Sequence, residues 1–286
     1  MSTIDIAPPR AVSSWRIFAR NRSAALAGLV LGALLLVALA APLLAPYAPG
    51  AVGAGPTMEG PSMAHLFGTD ELGRDVLSRV LYGLRVSLMV GFGAAGIATA
   101  LGIVVGGTAG FSGGLVDDAL MRITEVFQVI PRFFLAVVLV AFFGASIWNI
   151  IAAIAVLSWP DIARLVRAEF LTLRARQFVD AARVAGAPPR VLIFVEILPN
   201  ALAPVVVNGT LMVGQAMLLE AGLSYLGLGD PSQVSLGLIL QEAQQIMRSA
   251  WWTTAFPGIA IFLAVLSLNV VGDGLNDVLN PRSRER

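Results

Sequence analysis

The chain has 286 residues, of which 57% are hydrophobic and only 13% charged, and its net charge is +1. Ordinary soluble domains carry about a quarter charged residues, so this composition argues for a polytopic membrane protein and against a nucleic-acid binder. The absence of cysteine and the single histidine, His65, exclude disulfides, thiolate zinc sites, cysteine nucleophiles and multi-histidine metal centres, and no metal site is expected. All 19 basic residues are arginine, which we read as a compositional bias rather than a functional signal.

Residues 1–23 form an arginine-bearing tail with Arg10, Arg16, Arg20 and Arg22. The first apolar run follows at about 24–45. At roughly 22 residues it exceeds the 7–15 of a signal-peptide core, so it is read as a retained span despite the cleavage-like Ala38-Leu39-Ala40. Residues 46–86 read as a loop whose first part, 46–63, is irregular and rich in Pro and Gly, and His65 is expected there as a lone polar loop residue. Five further spans are expected at about 87–109, 123–143, 147–166, 199–222 and 252–275, giving a core over 87–275 and a tail over 276–286.

Arginine distribution orients these spans. Arg122, the 167–197 segment with its neighbours (Arg164, Arg167, Arg174, Arg176, Arg183, Arg190) and the tail residues Arg282, Arg284 and Arg286 join the N-terminal arginines on one side. Only Arg74, Arg79, Arg85 and Arg248 fall on the other. The positive-inside rule then puts both termini and the 167–197 loop in the cytoplasm.

The second span contains Gly91-Phe-Gly93-Ala-Ala-Gly96, a G-x-G-x-x-G match. It lies inside an apolar helix with no strand before it, so it is not read as a dinucleotide site. Gly102, Gly106 and Gly110 recur every four residues and line one face, a spacing that lets helix backbones approach closely in lipid. In the third span Arg132 follows Pro131. A charge there must face protein or water. Two readings stay open: Arg132 lines a translocation path, or it is a structural partner of Glu125 or Asp118. Gly222-Leu-Ser224-Tyr-Leu226 lacks the closing glycine of a nucleophile elbow. Asp273, between Gly272 and Gly274, is expected to hydrogen-bond backbone at a glycine-rich turn near the inner end of the sixth span.

The cytoplasmic loop carries the strongest local signal. Phe178, Ala181, Ala182 and Ala185 fall at i, i+3, i+4 and i+7 and so share a helix face. Asp180 complements the start of the helix dipole, Gly186 suits a left-handed C-terminal cap, and Pro188-Pro189 blocks continuation. A short helix at about 175–185 results. It either fits a partner's groove or rests on lipid headgroups, although interfacial helices usually carry larger apolar anchors than alanine.

Asp180-Ala-Ala-Arg-Val-Ala-Gly186 followed by Ile197-Leu198-Pro199 resembles the EAA loop of bacterial ABC importer permeases, with Asp180 in place of glutamate and Ile197 directly beside Leu198. Three further blocks are similar to the dipeptide, oligopeptide and nickel permeases: His65-Leu-Phe-Gly-Thr-Asp70-Glu-Leu-Gly-Arg74-Asp75-Val-Leu-Ser78-Arg79, Glu220-Ala-Gly-Leu-Ser224-Tyr-Leu-Gly227-Leu-Gly229, and Asn269-Val-Val-Gly272-Asp273-Gly274-Leu-Asn-Asp277-Val-Leu-Asn-Pro281-Arg282. Leu236 stands where the group usually has tryptophan. The basic tail and first span fit the C-type subunit of that group.

The resemblance implies an all-α type I importer permease of six transmembrane helices with cytoplasmic termini and a cytoplasmic coupling helix in the inner membrane. It implies a coupling loop built on Phe178, Asp180, Ala181, Ala182, Ala185, Gly186, Ile197, Leu198 and Pro199. The implied partners are a second related permease, two cytosolic ATPases that carry the ATP and Mg, and an extracytoplasmic binding protein delivering peptides or a related solute such as a nickel chelate, glutathione or an opine. Glu220 would then cap the following loop or touch the partner permease. No phosphate-binding G-x-x-x-x-G-K-[ST] segment occurs, so this chain is expected to bind no cofactor and to hydrolyse nothing. An ATP-independent channel or carrier is the rival reading. It would favour paired midplane carboxylates and short broken helices in both halves, and the sequence offers neither.

Overall fold

The computed structural model describes residues 21–279; the arginines expected at 10, 16, 20, 282, 284 and 286 lie outside them. Nine helices of eight residues or more organise the described residues: α1 (Arg22–Leu39), α2 (Val76–Ser112), α3 (Gly114–Val129), α4 (Arg132–Phe143), α5 (Ile147–Arg174), α6 (Gln177–Val184), α7 (Pro189–Leu228), α8 (Leu236–Ala243) and α9 (Trp252–Leu279). Five of these (α1, α2, α5, α7 and α9) are long and apolar enough to cross a membrane, and the α3–α4 pair makes a sixth if counted as one bent span.

Side-chain caps explain several starts. Asn21 Oδ1 accepts from the Ala24 N–H, Asp75 Oδ2 from Ser78, Ser146 Oγ from Asn149 and Ser235 Oγ from Leu238. Glycines at positive φ mark two ends, Gly113 (+68°) after α2 and Gly144 (+96°) after α4.

Three expectations about boundaries give way. The second helix starts at Val76 rather than near 87, so the irregular loop stops at residue 75. Arg79 lies in that stretch, and its charge is paired and buried (below), which lets the helix continue through it. Residues 111–122, expected as a loop, are largely helical in α3. The third span is two helices bent by 85° at Ile130-Pro131. A proline removes a helical N–H and biases the residue before it to extended backbone, and Ile130 sits at ψ 134°.

The core is a parallel pairing of α2 with α5. A Cβ on Gly102 would lie 2.5 Å from Ile162 Cβ, one on Gly110 2.6 Å from Phe170 Cβ, and one on Gly106 would strike the Ala163 carbonyl oxygen. Backbones therefore touch where side chains would otherwise hold them apart. Further along, Gly93 meets Ile151, so both helices advance in the same direction. Because α2 and α5 run parallel, the α3–α4 pair between them must return the chain. α7 packs antiparallel to α2, with Gly91 against Val213 and Met217, and antiparallel to α9, with Gly214 against Val265 and Gly272 against Leu211. Gly91, Gly102 and Gly106 all serve helix packing.

Candidate functional site

Two ends of this bundle carry the polar chemistry. At one end lies α6. The backbone closes it as the local signals demand: the Gly186 N–H donates to Arg183 O at 3.0 Å and the Ala187 N–H to Ala182 O at 3.1 Å, with Gly186 at φ +84°. This paired 5→2 and 6→1 arrangement satisfies carbonyls the helix leaves free, and it needs the left-handed residue that glycine supplies. Val179, fully buried, anchors α6 in the core, and Ala182 is half-buried beside it. Phe178, Ala181 and Ala185 are exposed, as is Val184 at 89%. The expected apolar face is thus divided, because Ala182 turns toward the bundle while Val184 joins the outer surface. Asp180 and Arg183 pair at 2.8 Å on the solvent side, both more than half exposed, an arrangement worth about 0.3–0.5 kcal/mol.

Ile197, Leu198 and Pro199 are not part of α6. They lie in α7, with Ile197 buried, Leu198 partly buried and Pro199 exposed. The Leu198 N–H donates to Ile193 O, five residues back, in a widened turn over Leu192–Ile197. Pro199 has no N–H to continue a regular ladder, and such widening accommodates it.

Arg132, at the first turn of α4, ion-pairs with Asp161 of α5. Neither Glu125 nor Asp118, the partners expected from sequence, takes this role; Glu125 lies 3.9 Å from Arg122 instead. Asp161 also accepts from Gln128 Nε2 at 3.0 Å, so one carboxylate holds both arms of the 85° bend. Sequence reasoning passed over Asp161 because its partners lie 29 and 33 residues away.

The opposite end is built on the 45–75 loop. Asp70 accepts from Arg74 Nε at 2.6 Å and Arg79 Nη1 at 2.7 Å, while Glu242 of α8 accepts from Arg74 Nη2 at 2.9 Å and Arg79 Nη2 at 2.6 Å. Arg79 is almost wholly buried, and its Nε makes no hydrogen bond. His65 lies in the loop as expected but does not stand alone there. It is buried, with Nδ1 3.0 Å from Asp75 Oδ1 and its ring 5.3 Å from that of Tyr47. Asp75 also accepts from the Ser78 N–H and Oγ–H, and Trp252 of α9 donates from Nε1 to Thr69 O at 2.9 Å. The block from His65 to Arg79 therefore knits loop, α2, α8 and α9 together.

Glu220 is buried and accepts from Ser87 Oγ at 2.9 Å and Ser224 Oγ at 2.7 Å, joining α7 to α2 and to its own last turns. Asp273 is exposed on an unbroken α9, because Gly272 and Gly274 pack inside the helix rather than forming a turn. In the α7–α8 loop, burial opposes ionisation of Asp230, but hydrogen bonds from the Ser232 side chain and backbone and from the Ile147 N–H outweigh it and hold the carboxyl below its usual range.

With this geometry in place, comparison with known proteins is decisive. Residues 98–285 match the family model described as binding-protein-dependent transport system inner membrane component, and residues 11–58 match the N-terminal TM domain of oligopeptide transport permease C. The chain belongs to the binding-protein-dependent transport permease family. It is 39% identical over 279 residues to the dipeptide transport system permease protein DppC of Alkalihalophilus pseudofirmus, covering 96% of this chain and 92% of that one. It is 42% identical over 278 residues to DppC of Escherichia coli, covering 95% and 93%. Inward-facing structures of the MetNI methionine ABC transporter share the fold, with TM-score 0.56 at 21% identity over 71% of this chain and 97% of that chain. The chain is accordingly an all-α, multi-pass inner-membrane permease component of an ABC importer, in a family that is not the catalytic subunit.

Proposed function

We propose that this permease forms half of the translocation pathway for peptides, or a related small solute such as a nickel chelate, glutathione or an opine. A second, related permease supplies the other half. Its termini and α6 face the cytoplasm, and two ATPases carrying ATP and Mg dock there, one of them on α6. A binding protein delivers solute at the face built on the 45–75 loop. The relatives named for dipeptide transport support peptides as the leading substrate class.

The observation that carries the reading is the outer surface of α6. Val179 fixes the helix, the paired cap at Gly186 ends it, and Phe178, Ala181, Val184 and Ala185 stand uncovered. A helix that buries one anchor and leaves a small-residue apolar face in water suits a closely fitting groove. Arg132 serves as a clasp on Asp161 and not as a substrate ligand, because its charge is met within the chain. Glu220 is a structural acceptor for Ser87 and Ser224.

Affinity purification of the tagged chain from gently solubilised membranes tests this. A second six-span permease and ATPase subunits should co-purify, and Gly186→Pro should release the ATPases while keeping the second permease. A homo-oligomer free of ATPase would refute the docking role of α6.

A further inference from the structure

Docking on α6 leaves open how motion there reaches the spans, and the root of α6 supplies a device for it. Only Ala175 and Arg176 separate α6 from Arg174, the last residue of α5. Arg174 turns away from α6 to the end of α2, where its Nη1 donates to Gly110 O at 2.9 Å and Phe111 O at 3.2 Å. These carbonyls belong to the last turn of α2, which has no helical partner for them, and a cation there also complements the helix dipole.

Two turns back along α5, Arg167 forms a two-point pair with Asp117 in the first turn of α3, with Nη2 to Oδ2 at 2.7 Å and Nε on Oδ1. Asp117 is buried. α2 and α3 meet at Gly113-Gly114, both at positive φ, so the two arginines fasten both sides of a tight corner to one helix. Above them the contacts at Gly106 and Gly110 leave no space between α2 and α5. Below them Val179 is buried in the bundle core, where α6 packs against the start of α7 and against α5, to which the two-residue link also ties it.

We propose that Arg174 and the Arg167–Asp117 pair are positioning residues that make α6, α5, α3 and the end of α2 move as one body, so that displacement of α6 is delivered along α2 to the opposite face. α2 has 37 residues and is therefore about 55 Å long, and its far end carries Arg79 of the buried ion network. The inference rests on α6 as the ATPase docking element. Both arginines act through the helices they join.

Natural absence of cysteine makes the test direct. Spin labels on Gln177→Cys in α6 and Val104→Cys in α2, both exposed positions, report the α6–α2 distance in the assembled, reconstituted importer. The distance distribution is read without nucleotide and after trapping with ATP and vanadate. In the labelled chain with native Arg174 and Asp117 it stays the same in both states. With Arg174→Gln and Asp117→Asn added it shifts and broadens on trapping. Should that double variant fail to assemble, Arg174→Gln alone, which keeps the Arg167 pair, is expected to give a smaller shift of the same kind. A shift in the native background with ATPases bound overturns the inference while leaving docking intact. An unchanged distance in every variant overturns the role of the arginines and assigns the rigidity to the glycine contacts. Failure of any ATPase to assemble on the native chain removes the docking reading and this inference with it.

Discussion

The loop network and the helix α6, at opposite ends of the bundle, satisfy their polar groups in opposite ways. At the loop end, Asp70, Arg74, Arg79 and Glu242 close a network with little access to water, and His65, Asp75 and Trp252 complete it. At the α6 end the Asp180–Arg183 pair is open to solvent, and four apolar side chains stand uncovered. Buried ionic networks are costly to break because a lone buried charge remains, whereas exposed pairs contribute little. The loop end is thus completed within the chain. α6 itself is finished only as far as its own backbone, and its outer surface is left for something else.

The sharpest way to break this comparison is at the loop end. Glu242→Leu leaves Arg74 and Arg79 sharing Asp70 alone, and should cost about 3–5 kcal/mol, read as a large fall in the thermal midpoint of the detergent-solubilised protein. An unchanged midpoint would mean the network is open to water. Next in size, Gly106→Val forces a side chain against the Ala163 carbonyl. It should cost about 1–3 kcal/mol, with the same melting curve as the measure. At the α6 end the effects should separate from stability. Ala181→Asp should change stability by no more than about 0.5 kcal/mol, as surface changes do, yet reduce ATPase co-purification; equal loss of both would show that α6 is structural. The smallest effect is acid-dependent. Asp230 has its folded-state pKa below the usual 3.8, so its stabilisation is fully present above that value and is lost as pH falls through the depressed one. Asp230→Asn should flatten the fall in stability below about pH 4 by lowering stability modestly at neutral pH, where the carboxylate's contribution is fully present, and changing little in acid.

The same contrast governs what the sequence could reveal. The end of α6 was readable because its determinants are local: Gly186 and Pro188-Pro189 act within a few residues of the helix they stop. Apolar length likewise announced α1, α7 and α9, and the family blocks announced the importer fold. Pairings across the bundle were not readable. Glu242 meets Arg74 across 168 residues and Trp252 meets Thr69 across 183, and no spacing rule links such positions. The loop expected over 46–86 runs too far for that reason, since the partner that lets a helix carry Arg79 is remote in sequence. At Pro131 the signal was visible, but a proline alone does not distinguish a kink in one span from an 85° turn between two helices.

That turn bears on how the protein is made. α4 has 12 residues and is about 18 Å long, too short to cross a hydrocarbon layer of about 30 Å unaided. Its clasp, Asp161, is synthesised 29 residues after Arg132. With α1 and α2 already anchored, a nascent chain stopped before Asp161 should leave a cysteine placed in α4 open to a water-soluble thiol reagent, and one continuing through α5 should protect it. On that outcome biogenesis of this permease runs out of step with synthesis, the earlier helix waiting for a later one before it settles in the bilayer.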